Sequence, residues 1–200
     1  MKDQALGPEE AKKIMGTKGQ VKGTVFQTDA EYIKRKWGPE GLKRVEEKLM
    51  NLGYPIEYKN IKALEWYPLG QRLLSLLATK ESLNLTDEDI TLMGNTAPKL
   101  SFIIKLILKS FVSVEVAFAR APDMWAKHFS VGKLESEFHG KEKYGWIFLN
   151  EIELHPLWHK YLEGYFRRIA QFALGEDAEC VAPDKPPRDD KQHVFKIIWP

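Results

Sequence analysis

Apolar residues recur every three or four positions along most of the first 125 residues, and every second position in a stretch after residue 129. The first spacing places side chains on one face of an α-helix, and the second places them on one face of a β-strand. Gly38-Pro39 and Gly53 interrupt the helical spacing, so several helices are predicted. Residues 99–119 are apolar almost all round, which predicts a helix at the centre of the domain.

The second half of the chain predicts strands that flank one long aromatic helix. The changed spacing indicates an antiparallel hairpin, and Gly175 is the expected C-terminal end of the helix. The predicted elements are, in order, strands at 131–138 and 144–149, the helix at 155–174, and strands at 178–182 and 194–199. Helices and antiparallel strands in separate parts of a chain are typical of an α+β fold.

We therefore predict a single α+β domain over residues 21–200. Its helical part, residues 21–129, is expected to pack on a small antiparallel sheet, within residues 130–200, that the long helix crosses. Residues 1–20 are predicted to be a flexible leader with one helical turn at residues 8–15, and residues 183–192 a mobile loop rich in proline and charge. A chain of 200 residues needs no metal or disulfide to fold.

The charge balance argues against a nucleic-acid-binding protein. The 30 basic and 28 acidic residues leave a net charge of +2, and the basic residues at 34–36 and 43–44 are interleaved with glutamates, as on an ion-paired helix surface. Cys180 is the only cysteine, which fits a reducing compartment and leads us to expect a cytoplasmic protein. The most apolar stretch, residues 100–116, is too short and too charged to span a membrane.

No recognisable catalytic machinery is present, and a non-catalytic role is favoured. Neither a His-Glu-x-x-His zinc motif nor a phosphate-binding glycine loop occurs. His155 and His159 lie four residues apart and are weak candidates for metal ligands, but a solvated helix face is the better interpretation because further ligands are missing. Cys180 is expected to be a buried structural thiol.

The long helix carries a wide aromatic stripe, and two uses of the stripe are open. It could simply pack across the sheet, or it could also line an apolar ligand pocket or a partner interface. Glu163, Arg167, Arg168 and Gln171 fall mostly on the opposite, polar side. The stripe consists of Leu157, Trp158, Tyr161, Leu162, Tyr165, Phe166, Ile169, Phe172 and Ala173.

Several short motifs in the second half resemble the 4-vinyl-reductase-like domain. They are Gly164-Tyr165 in the helix, Leu174-Gly175 at its end, Ala-Glu-Cys-Val-Ala at 178–182, and Phe195-Lys196-Ile197 in the last strand. The first half, from VKGTVFQ to RKWGPEGLKRVEEKL, is similar to the opening of heme–nitric-oxide-binding (H-NOX) domains of the same superfamily. Subunits of the TRAPP tethering complex share the fold of this superfamily. The resemblance covers roughly residues 20–200 and points to bacterial members without the heme motif.

This resemblance bears directly on cofactors. Heme-binding members carry a proximal histidine on a central helix and a Tyr-x-Ser-x-Arg motif on the following strands. The motif is absent here, residues 99–121 contain no histidine, and His128 falls beyond the end of that helix. Many 4-vinyl-reductase-like domains have a second cysteine in the final strand, where this chain has His193 or its neighbours. We therefore expect no cofactor, neither heme nor a cysteine-ligated metal.

The resemblance implies a binding or sensory module for signalling, with an apolar pocket between helices and sheet. Its ligand would be a hydrophobic small molecule or a lipid, and a homodimer or a protein partner is implied as in relatives. The alternative is a protein-interaction or assembly subunit with a self-filled core, and the third hypothesis is a heme- or tetrapyrrole-related function. The candidate pocket residues are Phe111, Phe118, Trp125, Trp158, Tyr161, Tyr165, Phe166 and Cys180.

Overall fold

The computed structural model describes residues 6–100, 113–183, 187–188 and 193–200. Their helices and antiparallel strands confirm the predicted α+β class. The chain divides into two compact units, Met1–Ile90 and Thr91–Pro200. The elements are α1 Pro8–Met15, β1 Gln20–Lys22, α2 Thr24–Asn51, a 3-10 turn Tyr58–Asn60, β2 Trp66–Pro68, α3 Leu69–Ser82, α4 Asp87–Leu100, α5 Val114–His128, β3 Lys133–His139, β4 Tyr144–Asn150, α6 Pro156–Leu174, β5 Glu179–Val181 and β6 His193–Ile198.

Helix α1 lies within the stretch that was expected to be a flexible leader. Ala11 and Ile14 of this helix are buried. Gly70 of α3 comes so close to the end of α1 that a Cβ there would lie 2.5 Å from the carbonyl oxygen of Ile14. Residues 8–15 therefore belong to the packed core of the N-terminal unit, and their bounds agree with the predicted helical turn.

Helix α2 is kinked where the sequence predicted a break. Gly38 has a φ of +71°, a conformation that side chains other than glycine rarely adopt, and Pro39 restarts the helix after it. The short ribbon of β1 and β2, in which Val21 pairs with Tyr67, was not predicted.

A buried ion pair joins α2 to α3 in the core of the N-terminal unit. Arg72 Nη1 lies 2.5 Å from Asp29 Oδ2, and the two side chains are 2% and 1% exposed. Beside this pair, the Tyr58 hydroxyl and Ser75 Oγ share a buried hydrogen bond of 2.6 Å. Neither charge can reach solvent, so each requires the other in order to stay ionised inside the unit.

The C-terminal unit is built on a four-stranded antiparallel sheet in the order β3-β4-β6-β5. The predicted hairpin is confirmed, with Ser136 opposite Ile147, and Ile147 is in turn paired with Phe195 of β6. Side chains of directly paired residues point to the same face of a sheet. Ser136 Oγ donates to the Phe118 carbonyl of α5, and Phe195 packs against Phe166 of α6, so α5 and α6 cover the same face.

One predicted helix differs from the structure. Helix α4 ends at Leu100, and α5 begins only at Val114, because Ser113 is extended and its Oγ accepts a hydrogen bond from the Val116 amide as an N-cap. The prediction of one continuous helix over residues 99–119 is therefore wrong at Ser113, while residues 114–119 are helical and residues 101–112 lie outside those described. Within the described chain, no helix is long and apolar enough to cross a membrane.

Candidate functional site

Helix α6 is buried on two opposite sides, which makes it the central element of the C-terminal unit. On one side it packs on β6, where Phe166 meets Phe195 edge-on at a centroid distance of 5.0 Å and the His159 ring stacks on Phe195 at 4.5 Å. The other side carries Gly164 and Arg168, both buried. The predicted packing of the aromatic stripe across the sheet therefore accounts for only one of the two sides.

The second side of α6 touches α4 backbone to backbone. A Cβ added at Gly94 would lie 2.0 Å from the carbonyl oxygen of Tyr161, and one added at Gly164 would lie 1.9 Å from that of Thr91. Both distances are far shorter than any normal contact, so each helix has a glycine where the other helix passes. The two glycines set the separation of the helices and place Asn95 beside α6.

Arg168 lies at this helix crossing, one turn beyond Gly164, and is only 8% exposed. Its Nη2 donates to Asn95 Oδ1 at 2.8 Å, and its Nη1 donates to both carboxylate oxygens of Glu176 at 3.1 and 3.0 Å. The Glu176 side chain itself is 78% exposed. Arg168 lies on the side of α6 opposite the sheet, as the sequence predicted, but α4 covers that part of the helix and buries the side chain.

An aromatic cluster fills the space between the C-terminal end of α5 and the start of α6. Trp125 stacks on Phe129 at a centroid distance of 4.0 Å and on Trp158 at 6.3 Å, and Phe129 lies 5.6 Å from Trp158. The indole nitrogen of Trp125 donates to the Val131 carbonyl at 3.0 Å, which fixes the orientation of the ring. Two of the predicted pocket residues, Trp125 and Trp158, are thus brought together.

A second aromatic cluster lies where α5 crosses the hairpin. Phe118 packs at 5.5 Å from Phe138 and at 6.4 Å from Trp199, and Phe138 stacks on Trp199 at 5.6 Å. Gly145 of β4 makes room for this cluster, since a Cβ there would lie 2.4 Å from the Phe118 ring. Phe118 is therefore surrounded by rings that the sequence analysis did not associate with it.

The other predicted pocket residues are distributed along α6 and β5. Tyr161 provides the carbonyl that meets Gly94, Tyr165 packs edge-on against Phe166 at 5.9 Å, and Cys180 is buried in β5. Burial raises the pKa of the Tyr165 hydroxyl and that of the Cys180 thiol well above their ordinary values, so both stay protonated. Phe111 lies outside the described residues. A shared pocket for these residues remains a prediction.

The two candidate metal ligands have different roles in the structure. The Nδ1 atom of His155 accepts a hydrogen bond from the Leu157 amide and caps α6. His159 is packed against Phe195 with its ring centroid 5.9 Å from that of His193, and burial lowers its pKa to about 4. Among the residues described, no three His, Cys, Asp or Glu side chains are grouped so that they could hold a metal ion.

All five histidines of the chain lie between residues 128 and 193. The His128 Nδ1 lies 2.9 Å from the Met124 carbonyl of its own helix, and His139 stacks on Tyr144 at the hairpin end. His193 Nε2 accepts from the Leu154 amide, and His155 and His159 are engaged as described above. A contact from Nδ1 to a backbone carbonyl, as in His128, is also the contact that orients the Nε2 atom of metal-ligating histidines.

The sequence analysis did not single out four residues at or beside the helix crossing as candidate site residues: Gly94, Asn95, Arg168 and Glu176. The one available signal was glycine in helix interiors, which costs about 1 kcal/mol relative to alanine and therefore suggests a close approach of backbones. Nothing in the local sequence showed that the two glycines meet each other.

Comparison with known proteins identifies the fold. No family model matches the chain, and no curated protein matches it. A solved variant of the Tt H-NOX domain aligns with a TM-score of 0.61 at 14% identity, over 88% of this chain and 92% of that one. An oxygen-binding H-NOX domain related to soluble guanylate cyclases aligns with the same TM-score and coverage at 13% identity. An unliganded Fe(II) H-NOX variant from K. algicida gives 0.60 at 11% identity, over 88% and 95%. This chain has the H-NOX-like fold.

Proposed function

We propose that this protein is a non-catalytic sensory domain that binds an apolar small molecule without a histidine-ligated heme. The observation that carries the proposal is the combination of an H-NOX-like fold with a sequence that lacks the Tyr-x-Ser-x-Arg motif and has no histidine in residues 99–121. The solved neighbours include an oxygen-binding domain, so the fold binds a small molecule in that protein. A different ligand chemistry then follows from the different donor set.

The aromatic cluster between α5 and α6 supports an apolar ligand. Trp125 and Trp158 are both more than nine-tenths buried, and Phe118 extends the apolar surface along α5. Large rings with few polar groups are typical of the lining of small-molecule sites. The ligand would lie on the face of the sheet that α5 and α6 cover and would contact Trp125, Trp158 and Phe118.

The titratable groups of the same unit support a non-catalytic role. A nucleophilic cysteine requires a lowered pKa, whereas burial raises the pKa of Cys180. The hydroxyl of Tyr165 is kept protonated in the same way. Neither side chain is therefore available as a nucleophile or a base at neutral pH.

Native mass spectrometry of the purified protein, before and after denaturation, tests this proposal. We expect a bound apolar molecule, or saturable binding of the neutral dye Nile red to protein from which such a molecule has been extracted. Trp125→Ala should weaken dye binding at least about tenfold, the loss expected when one large ring contact is removed. Trp66→Ala is the matched control, because Trp66 is 39% exposed and belongs to the other unit. A protein that neither carries nor takes up an apolar molecule would contradict the proposal.

Absorbance spectroscopy tests the heme alternative separately. We expect a colourless preparation that gains no Soret band when hemin is added. If a Soret band appears, each of the five histidines is replaced in turn by alanine. Loss of the band in one variant would show that this histidine ligates iron, and heme would then replace the apolar molecule as the proposed ligand. Sedimentation of the full chain would test the homodimer that the resemblance implies.

A second candidate function is a protein-interaction subunit whose core is filled by its own side chains. The 4.0 Å stacking of Trp125 on Phe129 favours it, because rings at this distance leave no room between them. In that case Trp125→Ala removes only core packing, with a cost of about 3–5 kcal/mol in the free energy of unfolding, and no dye binding is lost.

A further inference from the structure

We infer that Arg168 and Asn95 form a binding site for a small carboxylate, and that Glu176 is a displaceable internal stand-in for this ligand. The site lies on the α4-facing side of α6, away from the sheet, and it does not depend on the apolar ligand proposed above. Its ligand would be a free carboxylate or a molecule that carries one.

The guanidinium of Arg168 is buried and held in a fixed position from which it could bind an anion. The residue is 8% exposed, and its position at the Gly94–Gly164 crossing is fixed by the backbone contact of two helices. Asn95 holds Nη2 at 2.8 Å and donates from Nδ2 to the Gly164 carbonyl at 3.4 Å, so the amide is oriented with its oxygen towards the arginine. A buried guanidinium held in this way needs little reorganisation to bind an anion.

The counter-ion of Arg168 is unusual because it comes from a solvent-exposed side chain. Glu176 is 78% exposed, yet both of its carboxylate oxygens accept from Nη1. Its backbone is held by Gln171, whose Nε2 donates to the Glu176 carbonyl at 2.9 Å. The backbone is therefore fixed while the side chain can swing into water, which would uncover Nη1 without any change in the fold.

The arginine also has unused capacity for a ligand. Its Nε has no hydrogen-bond partner among residues 6–100, 113–183, 187–188 and 193–200, although the atom is buried. An unpaired buried donor costs free energy. The Nε–H group shares an edge of the guanidinium with Nη2, so an oxygen of the ligand could pair with it from the Asn95 side, apart from the position of Glu176 on Nη1. A carboxylate is favoured over a larger anion because the group that already occupies Nη1 is a carboxylate.

Anion titration of the full chain tests the site, with sodium acetate as the probe and sodium chloride at matched ionic strength as the blank. Wild-type protein should bind acetate weakly because Glu176 competes from within the same molecule. Glu176→Gln should bind acetate at least about tenfold more tightly, because the internal competitor is removed. Amide shifts of Asn95 and Arg168 in NMR spectra give the affinity and the location.

The neighbouring ion pair provides a matched control. Arg167 Nη2 lies 3.5 Å from Glu179, and both side chains are exposed. Glu179→Gln removes the same charge from the same part of the chain, so its acetate affinity should equal that of the wild type. Equal affinities for the wild type, Glu176→Gln and Glu179→Gln would mean adventitious anion binding and would overturn the inference.

Two further variants keep the result interpretable. Arg168→Gln in the Glu176→Gln background should abolish the gain. Asn95→Asp in the same background should also abolish it without removing the arginine, because it places an internal carboxylate on Nη2. Inorganic phosphate distinguishes the ligand class. A preference for phosphate of more than about tenfold over acetate would overturn the carboxylate assignment.

Discussion

The two units each bury an arginine, but they neutralise it in different ways. Arg72 is 2% exposed and is paired with Asp29, which is 1% exposed, so neither charge meets water. Arg168 is buried to a similar degree, whereas its partner Glu176 is 78% exposed. We call the Arg72–Asp29 pair closed, because both side chains are buried, and the Arg168–Glu176 pair open. A closed pair has a structural role, since replacing either partner by a ligand would leave a buried charge without its counter-charge. An open pair leaves one partner replaceable, which is what a binding site requires.

The largest expected effect comes from breaking the closed pair. Asp29→Asn keeps the shape of the side chain but leaves the Arg72 charge buried without a counter-charge, and we expect it to lower the free energy of unfolding by about 3–5 kcal/mol. Chemical denaturation measures the loss. Glu176→Gln is the counterpart in the open pair and should cost less than about 1 kcal/mol. Similar losses in the two variants would remove the distinction between the pairs.

A smaller effect is expected from Gly164→Ala at the crossing that positions Arg168. Alanine in a helix interior normally stabilises a protein by about 0.5–1 kcal/mol relative to glycine. Here its Cβ would lie 1.9 Å from the Thr91 carbonyl oxygen, so we expect destabilisation by about 1–3 kcal/mol or more in thermal or chemical unfolding. The sign alone is diagnostic, because a stabilised variant would show that the helices are not in backbone contact.

The same substitution should also disturb the open pair. Moving α4 away from α6 separates Asn95 from Arg168, whose hydrogen bond is 2.8 Å long. The acetate affinity of the Glu176→Gln background should then fall when Gly164→Ala is added. An unchanged affinity would show that Asn95 contributes nothing to the receptor.

The last prediction concerns the pH dependence of stability and His159, a buried side chain that stays neutral instead of pairing with an opposite charge. Burial lowers the pKa of His159 from 6.5 to about 4 and also lowers that of His193. The unfolded chain therefore binds these protons more readily, so stability is fully present above about pH 6.5 and decreases as the pH falls towards 4. His159→Phe, which keeps a ring over Phe195, should reduce this loss in unfolding experiments across that range.

Local signals predicted the C-terminal elements well. The helix expected at residues 155–174 is observed at Pro156–Leu174, and the hairpin and last two strands agree within a few residues. These elements begin and end at residues whose effect is local, such as the His155 cap and Gly175 with its φ of +108°. The resemblance to H-NOX domains is confirmed at the level of the fold.

Contacts between residues far apart in sequence could not be predicted. The ribbon of β1 and β2 consists of three-residue strands, which are too short for a periodic pattern, and its Val21–Tyr67 pairing spans 46 positions along the chain. The burial of Arg168 follows from the packing of α4 on a side of α6 that the sequence shows only as polar. The distribution of Phe118 and Trp125 over two clusters likewise depends on how α5 crosses the sheet.

The reciprocal glycine contact constrains how the C-terminal unit can move. Where backbones touch, two helices cannot come closer, and parting them would open a cavity that no side chain fills. The movements with a low free-energy cost are a sliding of α4 along α6 and a joint rotation of the two helices. A ligand that displaces α6 would therefore carry the Thr91–Asn95 segment of α4 with it. The contact between the two helices would in this way turn ligand binding beside α6 into a movement of α4.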